Sequence, residues 1–316
     1  MKVYVKTPAR LHLGLIDLNG DLGRLFGGLG VGIDRPRVIL EAQRSERLSV
    51  TGEKTELVKA MARRFLETYN IKANASINVK QAIPEHAGLG SGTQLALAVA
   101  TALSKLFNVD ASIQELAKAM GRGQRTSVGT TIFEQGGFVV DGGKSTSKNS
   151  FPTTILRQPF PQDWVFVVAI PDVNKGLAKS EETVAFRALS PMTAENAGRI
   201  CRLTMMKLLP ALIERDIKSF GEALTQIQKV IGEYFAEAQG GTYSSQTATE
   251  GIALMQKLGA YGAGQSSWGP AFYGLTQKEK AKEIQFKVKA FLRKNVGGQV
   301  FIAKANNRGA YIKVTR

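Results

Sequence analysis

The only imidazoles in the sequence, His12 and His86, both stand beside stretches dense in glycine, hydroxyls and cations. His86 lies in Ile83-Pro84-Glu85-His86-Ala87-Gly88-Leu89-Gly90-Ser91-Gly92-Thr93-Gln94. Three glycines within five residues free the backbone for turns that a Cβ forbids, so successive N–H groups can converge on one anion. The chemistry would be phosphate binding. A glycine-rich turn that holds no ligand is the plain alternative. No Gly-Lys-Ser/Thr closes the stretch, so it is not a Walker A loop, and any cation or metal must come from elsewhere. His12 precedes Asp17 and a loop that carries Gly20, Gly23, Gly27, Gly28, Gly30 and Gly32, with Arg24 as its one cation. Neutral imidazole can shuttle a proton, and charged imidazole can pair with phosphate. Asp17 suits a proton, a metal or an amine, or else simply forms the turn at Asn19-Gly20. Glu85 reads as a magnesium ligand or a loop-entry acid. Arg24 offers a planar fork to a carboxylate or a phosphate.

The elements that must hold these groups follow from periodicity. Apolar Ala75, Ile77 and Val79 alternate with polar neighbours and predict a strand over 75–81. Residues 95–103, rich in alanine and leucine, predict a helix. The glycine stretch therefore joins a strand to a helix start, where unpaired N–H groups carry a partial positive charge. Strands are expected over 2–6, 10–18, 31–43, 47–51, 131–140, 153–158 and 164–170, with a helix over 54–69. Ser112 with Glu115 makes a capping box for a short helix that ends at Gly121. The polar, basic run 121–127 reads as a loop beside the anion site. After proline-rich punctuation near residue 160, helices are expected over 193–214, 217–238 and 249–258. A strand, glycine loop and strand follow over 259–275, then a helix to about 294 and strands near 299–304 and 309–315. The class is α+β, with domains 1–160 and 161–316.

Composition narrows the partners. Hydrophobic residues at 43% and charged residues at 22% describe an ordinary globular chain. No apolar run reaches the length of a membrane span. Cys201 is the one cysteine, which leaves no internal disulfide and fits a reducing cytoplasm. A net charge of +16 points to anionic partners, either nucleic acid or small phosphates and carboxylates. No nucleic-acid-binding signature accompanies it, so the small anions are favoured and a basic RNA-binding protein stays as the second class.

Together these stretches resemble the GHMP family (galacto-, homoserine, mevalonate and phosphomevalonate kinases). Pro84 with Gly88-Leu89-Gly90-Ser91-Gly92 resembles its central motif, and Thr7-Pro8-Ala9-Arg10-Leu11-His12-Leu13-Gly14 its first. Tyr261-Gly262-Ala263-Gly264-Gln265-Ser266-Ser267 stands where its third is expected. The details are nearer to a non-kinase branch, the β-ribofuranosylaminobenzene 5′-phosphate synthases, through Arg10-Leu11-His12, Leu15-Ile16-Asp17, Pro84-Glu85-His86 and Gly136-Gly137-Phe138-Val139-Val140-Asp141-Gly142-Gly143. The resemblance implies an N-terminal domain like domain 2 of ribosomal protein S5 and a ferredoxin-like C-terminal domain. It also implies condensation of 4-aminobenzoate with phosphoribosyl pyrophosphate, with release of CO2 and pyrophosphate, towards methanopterin-type folates. The site it implies has Asp17, His12 and His86 as catalytic groups. Arg24, Arg10, Gly88, Leu89, Gly90, Ser91, Gly92, Thr93, Gly264, Ser266 and Ser267 would bind substrate, and Glu85 and Ser91 would hold Mg²⁺. Family kinases carry an acid near the position of Gly129, but none lies between Arg122 and Phe133. ATP is therefore not expected, and a small-molecule kinase is the alternative within the enzymes. A homodimer is left open.

Overall fold

Val3 and Val5 turn inward and Lys2, Tyr4 and Lys6 outward, so β1 (Lys2–Lys6) covers a core with one face only. In this computed structural model, which describes residues 1–148, 150–173, 186 and 188–315, β1 lies in a five-stranded sheet. Its order is β15 (Tyr311–Thr315), β1, β5 (Ile39–Ser45), β7 (Asn74–Gln81) and β6 (Ser49–Gly52), all antiparallel except the β6–β7 pair. Helices α1 (Thr55–Thr68) and α2 (Ser91–Phe107) pack against each other beside it. α1 buries Val58, Met61, Ala62, Phe65 and Leu66, whereas Leu57 stays exposed at a cleft rim. The capping box of α3 (Ile113–Ala119) forms as expected, with Ser112 and Glu115 bonding each other's backbone N–H.

A second sheet runs β10 (Thr154–Gln158), β8 (Phe138–Asp141), β4 (Gly28–Ile33) and β2 (Ala9–Gly14). Two expectations change here. The strand expected from 131 begins only at Phe138, because Val128–Gln135 is a helix, α4, whose residues 128–133 are all buried. β2 stops at Gly14, where the backbone turns to φ 143° against Ile231. Short strands β3 (Arg24–Leu25) and β9 (Lys144–Ser145) pair apart from the main sheets.

The third sheet has the order β12 (Gly262–Gln265), β13 (Phe272–Gln277), β11 (Trp164–Pro171) and β14 (Gly298–Lys304). Numbered within this half, that is 2-3-1-4 and wholly antiparallel, the split βαβ arrangement of ferredoxin-like domains. Helices α7 (Ile217–Gln239) and α8 (Gln246–Lys257) follow its first strand and α9 (Lys278–Asn295) its third. The helix expected over 193–214 is α5 (Ala194–Leu203) and α6 (Leu209–Glu214), joined by one π-helical turn over Thr204–Leu208. The boundary at 160 is not a clean division. β15 crosses back to pair with β1 in the first sheet, a long-range pairing that periodicity cannot reveal. Phe138, Phe160, Trp164, Phe166 and Phe220 pack ring against ring where the halves meet, with centroids 5.4 to 6.5 Å apart. Among the described residues no helix is long and apolar enough to cross a membrane.

Candidate active site

Strand alternation puts Arg10 and His12 on one face of β2 and the wholly buried Leu11 and Leu13 on the other. The glycine loop runs along this strand, with Arg10 N–H donating to the Leu89 carbonyl at 3.1 Å. The loop then enters α2 through Gly90, which has left-handed φ 75° and provides no side-chain cap. The first N–H groups of a 17-residue helix thus meet the cleft uncovered, as an anion requires. Gly88, Gly90, Ser91, Gly92 and Thr93 line this cleft, and Leu89 turns its side chain into the core.

The opposite wall is the 121–126 loop, which brings Arg122 and Arg125 to the same cleft as Arg10. A Cβ on Gly92 would lie 3.1 Å from Arg122 Nη1, so the guanidinium rests on the bare helix start. Arg122 Nε is buried without a hydrogen-bond partner among the described residues. Burial, with Arg64 close by, lowers the Arg122 pKa below its ordinary value. Cations pressed together in this way are what an anion would relieve. The loop is held at both ends. Arg122 N–H bonds the Ala117 carbonyl at 2.7 Å, and Ser127 N–H bonds the buried Asp141 carboxylate at 2.6 Å. Asp141 also accepts from the Ser127 hydroxyl and from Gly143 N–H, and its pKa is nevertheless raised by burial.

A third wall, Ser267, Trp268 and Gly269, comes from the other half of the chain. Ser266, fully buried, fastens it by donating to the Gly88 carbonyl at 2.7 Å and accepting from His12 N–H at 2.9 Å. The cleft is open to solvent and offers a cavity of about 440 Å³. Ser267 and Trp268 also line a second, much smaller pocket, with His12, Leu15, Ile231, Phe235 and Tyr243 around it. Gln228, Gln239 and Gln265 complete its wall. Gln228 ties the halves together, donating to the Leu13 carbonyl at 2.7 Å and accepting from Gln265 N–H at 2.9 Å. His12 is 7% exposed, and burial first, then the Arg10 charge, sets its pKa well below the usual imidazole value.

The expected residues therefore divide. His12, Arg10, Ser267 and the Gly88–Thr93 loop converge, with His86 exposed at the cleft and Glu85 beside it in an ion pair with Lys54 at 2.9 Å. Arg24 lies outside both cavities. Its Nε and Nη2 donate to the Gly142 and Gly143 carbonyls at 2.6 and 2.7 Å, so the fork expected for a ligand is engaged by backbone. Asp17 lies outside too, accepting from Asn19 and Gly20 N–H at 2.7 and 3.1 Å as a turn former. Both have an indirect connection to the site. Asp17 exchanges backbone bonds with Phe26, and Phe26 packs edge-on to Phe186, which also meets Phe235 and Trp268 and lies under Arg125. Gly264 is buried in β12, where a Cβ would strike Gln228 at 2.5 Å, and Ser266 lies behind the lining. Arg122 and Arg125 come from the basic run expected beside the anion site, although the sequence alone assigns neither a place in it, and it gives no role to Asp141, which anchors that run through Ser127. The basic run Arg122-Gly123-Gln124-Arg125 was the signal for the first two, and the stretch 136–143 that carries the resemblance was the signal for Asp141. For Mg²⁺, no group of three His, Cys, Asp or Glu suited to a metal occurs among the described residues. Glu85 and Ser91 do border one cleft, a donor set that fits an ion sharing phosphate oxygens.

Comparison with known proteins gives two kinds of finding. The GHMP kinases N terminal domain matches residues 56–137 and the GHMP kinases C terminal domain residues 208–294. A β-ribofuranosylphenol 5′-phosphate synthase of Archaeoglobus fulgidus is 35% identical, over 98% of this chain and 99% of its own. That of Methanothermobacter thermautotrophicus is 32% identical, over 99% of both. Among solved structures, Lactococcus lactis galactokinase complexed with galactose superposes with TM-score 0.72 at 15% identity, over 98% of this chain and 95% of its own. A homoserine kinase from Cytophaga hutchinsonii gives 0.71 at 18%, over 99% and 97%. At such identities the two structures attest to the fold alone.

Proposed function

The chain belongs to the GHMP kinase family and, within it, to the β-ribofuranosylphenol 5′-phosphate synthases, and from that footing we propose that it joins a para-substituted benzoate to C1 of phosphoribosyl pyrophosphate, releasing pyrophosphate and CO2. One observation carries this reading. The cationic glycine cleft and the aromatic pocket open side by side and share Ser267 and Trp268. A sugar diphosphate in the one would present C1 to a flat ring in the other, and that proximity is the main requirement of the reaction.

The leaving group is a diphosphate. The Ser91 and Gly92 N–H groups, with the Arg122, Arg10 and Arg125 cations, would neutralise the charge that grows on it as the C1–O bond breaks. Mg²⁺ bound at Glu85 and Ser91 would add electrostatic stabilisation of the same oxygens. Phe235, Trp268 and Ile231 would hold the acceptor and keep water away from the cationic sugar centre. The relatives are named for a phenol product, whereas the sequence led us to expect 4-aminobenzoate. The two acids differ in the para substituent, and we place 4-hydroxybenzoate first and 4-aminobenzoate second. ATP has no part in this reaction. Gly129, where family kinases carry an acid, packs against Thr93 at the first turn of α2.

The test is incubation of the protein with phosphoribosyl pyrophosphate, Mg²⁺ and each acid labelled in its carboxyl carbon, with ATP and small alcohols in a parallel tube. The expected outcome is CO2 and pyrophosphate in equal amounts, and no ADP. ADP release dependent on an alcohol, with no CO2, would return the chain to the kinases.

A further inference from the structure

His12 is set up unlike an ordinary core histidine. It is 7% exposed, its backbone N–H donates to the Ser266 hydroxyl, and no side-chain hydrogen bond among the described residues holds its ring. The ring is not locked into a side-chain network of the core and stands in the wall of a pocket, where a ligand can supply its partner. The ring packs against bare backbone on one side, where a Cβ on Gly28 would stand 3.4 Å from Nε2. On the other side it forms part of the pocket wall with Leu15, Phe235 and Trp268.

We infer that His12 is the general base that takes the proton from the para-hydroxyl of the aromatic acceptor, so that the ring attacks as a phenolate. This rests on the reading of the Phe235–Trp268 pocket as the acceptor site. The electrons balance without an external oxidant or reductant. The hydroxyl proton moves to a His12 ring nitrogen. The phenolate oxygen pushes electron density to the ring carbon that bears the carboxylate, which bonds to C1 of the sugar as the C1–O bond to pyrophosphate breaks. The product of that step is a cyclohexadienone carboxylate. Its C–CO2 bond then breaks, and the electron pair left behind restores the aromatic ring as a phenolate. The imidazolium returns its proton to that oxygen, and His12 ends neutral. An aniline N–H is far too weak an acid for imidazole, so an amino acceptor gains nothing from this residue. His12 therefore also makes the site selective for a phenol.

The burial that lowers the His12 pKa keeps the base neutral at neutral pH. Of the titratable groups around it, Arg10 comes from its own strand and Tyr243 from across the pocket. The helix wall (Gln228, Ile231, Phe235), the Ser267–Trp268 turn and Gly28 contribute none. Tyr243 has its pKa raised by burial and Arg10 stays charged, so neither changes charge between pH 5 and 8. An acid limb that disappears in His12→Asn then belongs to His12, because His86 at the neighbouring cleft and the phosphates of the substrate are still present in that variant.

The experiment uses the full-length protein and His12→Asn, which keeps an amide of similar reach but cannot carry the proton. Dissociation constants for 4-hydroxybenzoate and for phosphoribosyl pyrophosphate are measured by calorimetry, and kcat from pH 5 to 8 with each acid. In the variant, both dissociation constants should stay within a few-fold, kcat with the hydroxy acid should fall roughly 100- to 10,000-fold, and the acid limb should vanish. The wild type should turn over the hydroxy acid well ahead of the amino acid. A kcat within tenfold of wild type, or an equal fall for both acids with the acid limb retained, would overturn the assignment. If His12→Asn does not fold, the acid preference of the wild type decides alone: no preference for the phenol overturns it. Failure of the pocket reading looks different. There, Trp268→Ala would leave the 4-hydroxybenzoate dissociation constant unchanged while His12→Asn still removed the acid limb.

Discussion

Gly92→Ala separates anion binding from folding. Gly92 is the second residue of α2, and its backbone lies in the ordinary helical region, so alanine meets no strain there. Alanine is about 1 kcal/mol better than glycine inside a helix, and the gain at this first turn is some part of that. The added methyl would meet Arg122 Nη1 at 3.1 Å, Nη2 at 3.3 Å and Cζ at 3.4 Å. All three belong to a side chain that can swing aside, so the methyl moves the guanidinium by a few tenths of an ångström or tips it out of the cleft. Complete loss of a charge-assisted bond to phosphate costs about 1.5–3 kcal/mol, roughly 10- to 150-fold in affinity. A partial displacement should therefore raise KM for phosphoribosyl pyrophosphate about 5- to 50-fold on the same scale. KM for the aromatic acid and the melting temperature should stay near wild type. The control is Gly88→Ala, whose Cβ would stand 2.0 Å from the Ser266 carbonyl at φ +77°. Left-handed strain of about 1–2 kcal/mol adds to that collision, so this variant should lose stability outright. Thermal denaturation and initial-rate kinetics on both variants decide the matter. A lowered melting temperature in Gly92→Ala with an unchanged sugar-phosphate KM would refute the placement of Arg122 on the anion.

Three further outcomes follow from the same geometry. Ser266→Ala leaves a buried His12 N–H without its acceptor and loosens the Gly88 carbonyl, which should cost about 1–3 kcal/mol; denaturant titration would read this, and a loss under 0.5 kcal/mol would mean that the loops hold together without it. Arg24→Ala releases two carbonyls from an exposed clamp, so it should change turnover through the Phe26–Phe186 contact and leave phosphoribosyl pyrophosphate binding within a few-fold; a collapse of that binding would put Arg24 back on the ligand. His12 has its folded pKa depressed, so its contribution to stability is present above the unfolded value of about 6.5 and is lost as the pH falls through that value towards the folded one. Unfolding free energies at pH 7.5, 6 and 5 for wild type and His12→Asn should therefore converge as the solution is acidified, and parallel curves would contradict the buried neutral imidazole.

Local signals settled much of this protein without any coordinates. Three glycines between a strand pattern and an alanine-rich helix suit the anion loop proposed here because the needed backbone freedom and the uncapped N–H groups belong to consecutive residues. The alternation of Arg10, Leu11, His12 and Leu13 likewise fixes which two side chains share a face. Residues 131–135 belong to a helix where a strand is expected, because the short apolar stretch fits either period and burial against β4 and β8 decides it. The charge partners of the loop lay beyond local reach. Arg24 and Arg122 both sit beside glycines, and nothing nearby says which will find an acceptor. The answer depends on residues some 30 to 120 positions away: Gly142 and Gly143 engage Arg24, while Gly92 gives Arg122 a bare helix start to lie on. Asp141 stood in a recognisable motif, but its role was hidden for the same reason, since its partner Ser127 reaches it only once β8 and α4 pack. The aromatic pocket is assembled from β2, α7 and the loop after β12, so only the folded chain brings His12 to Phe235 and Trp268.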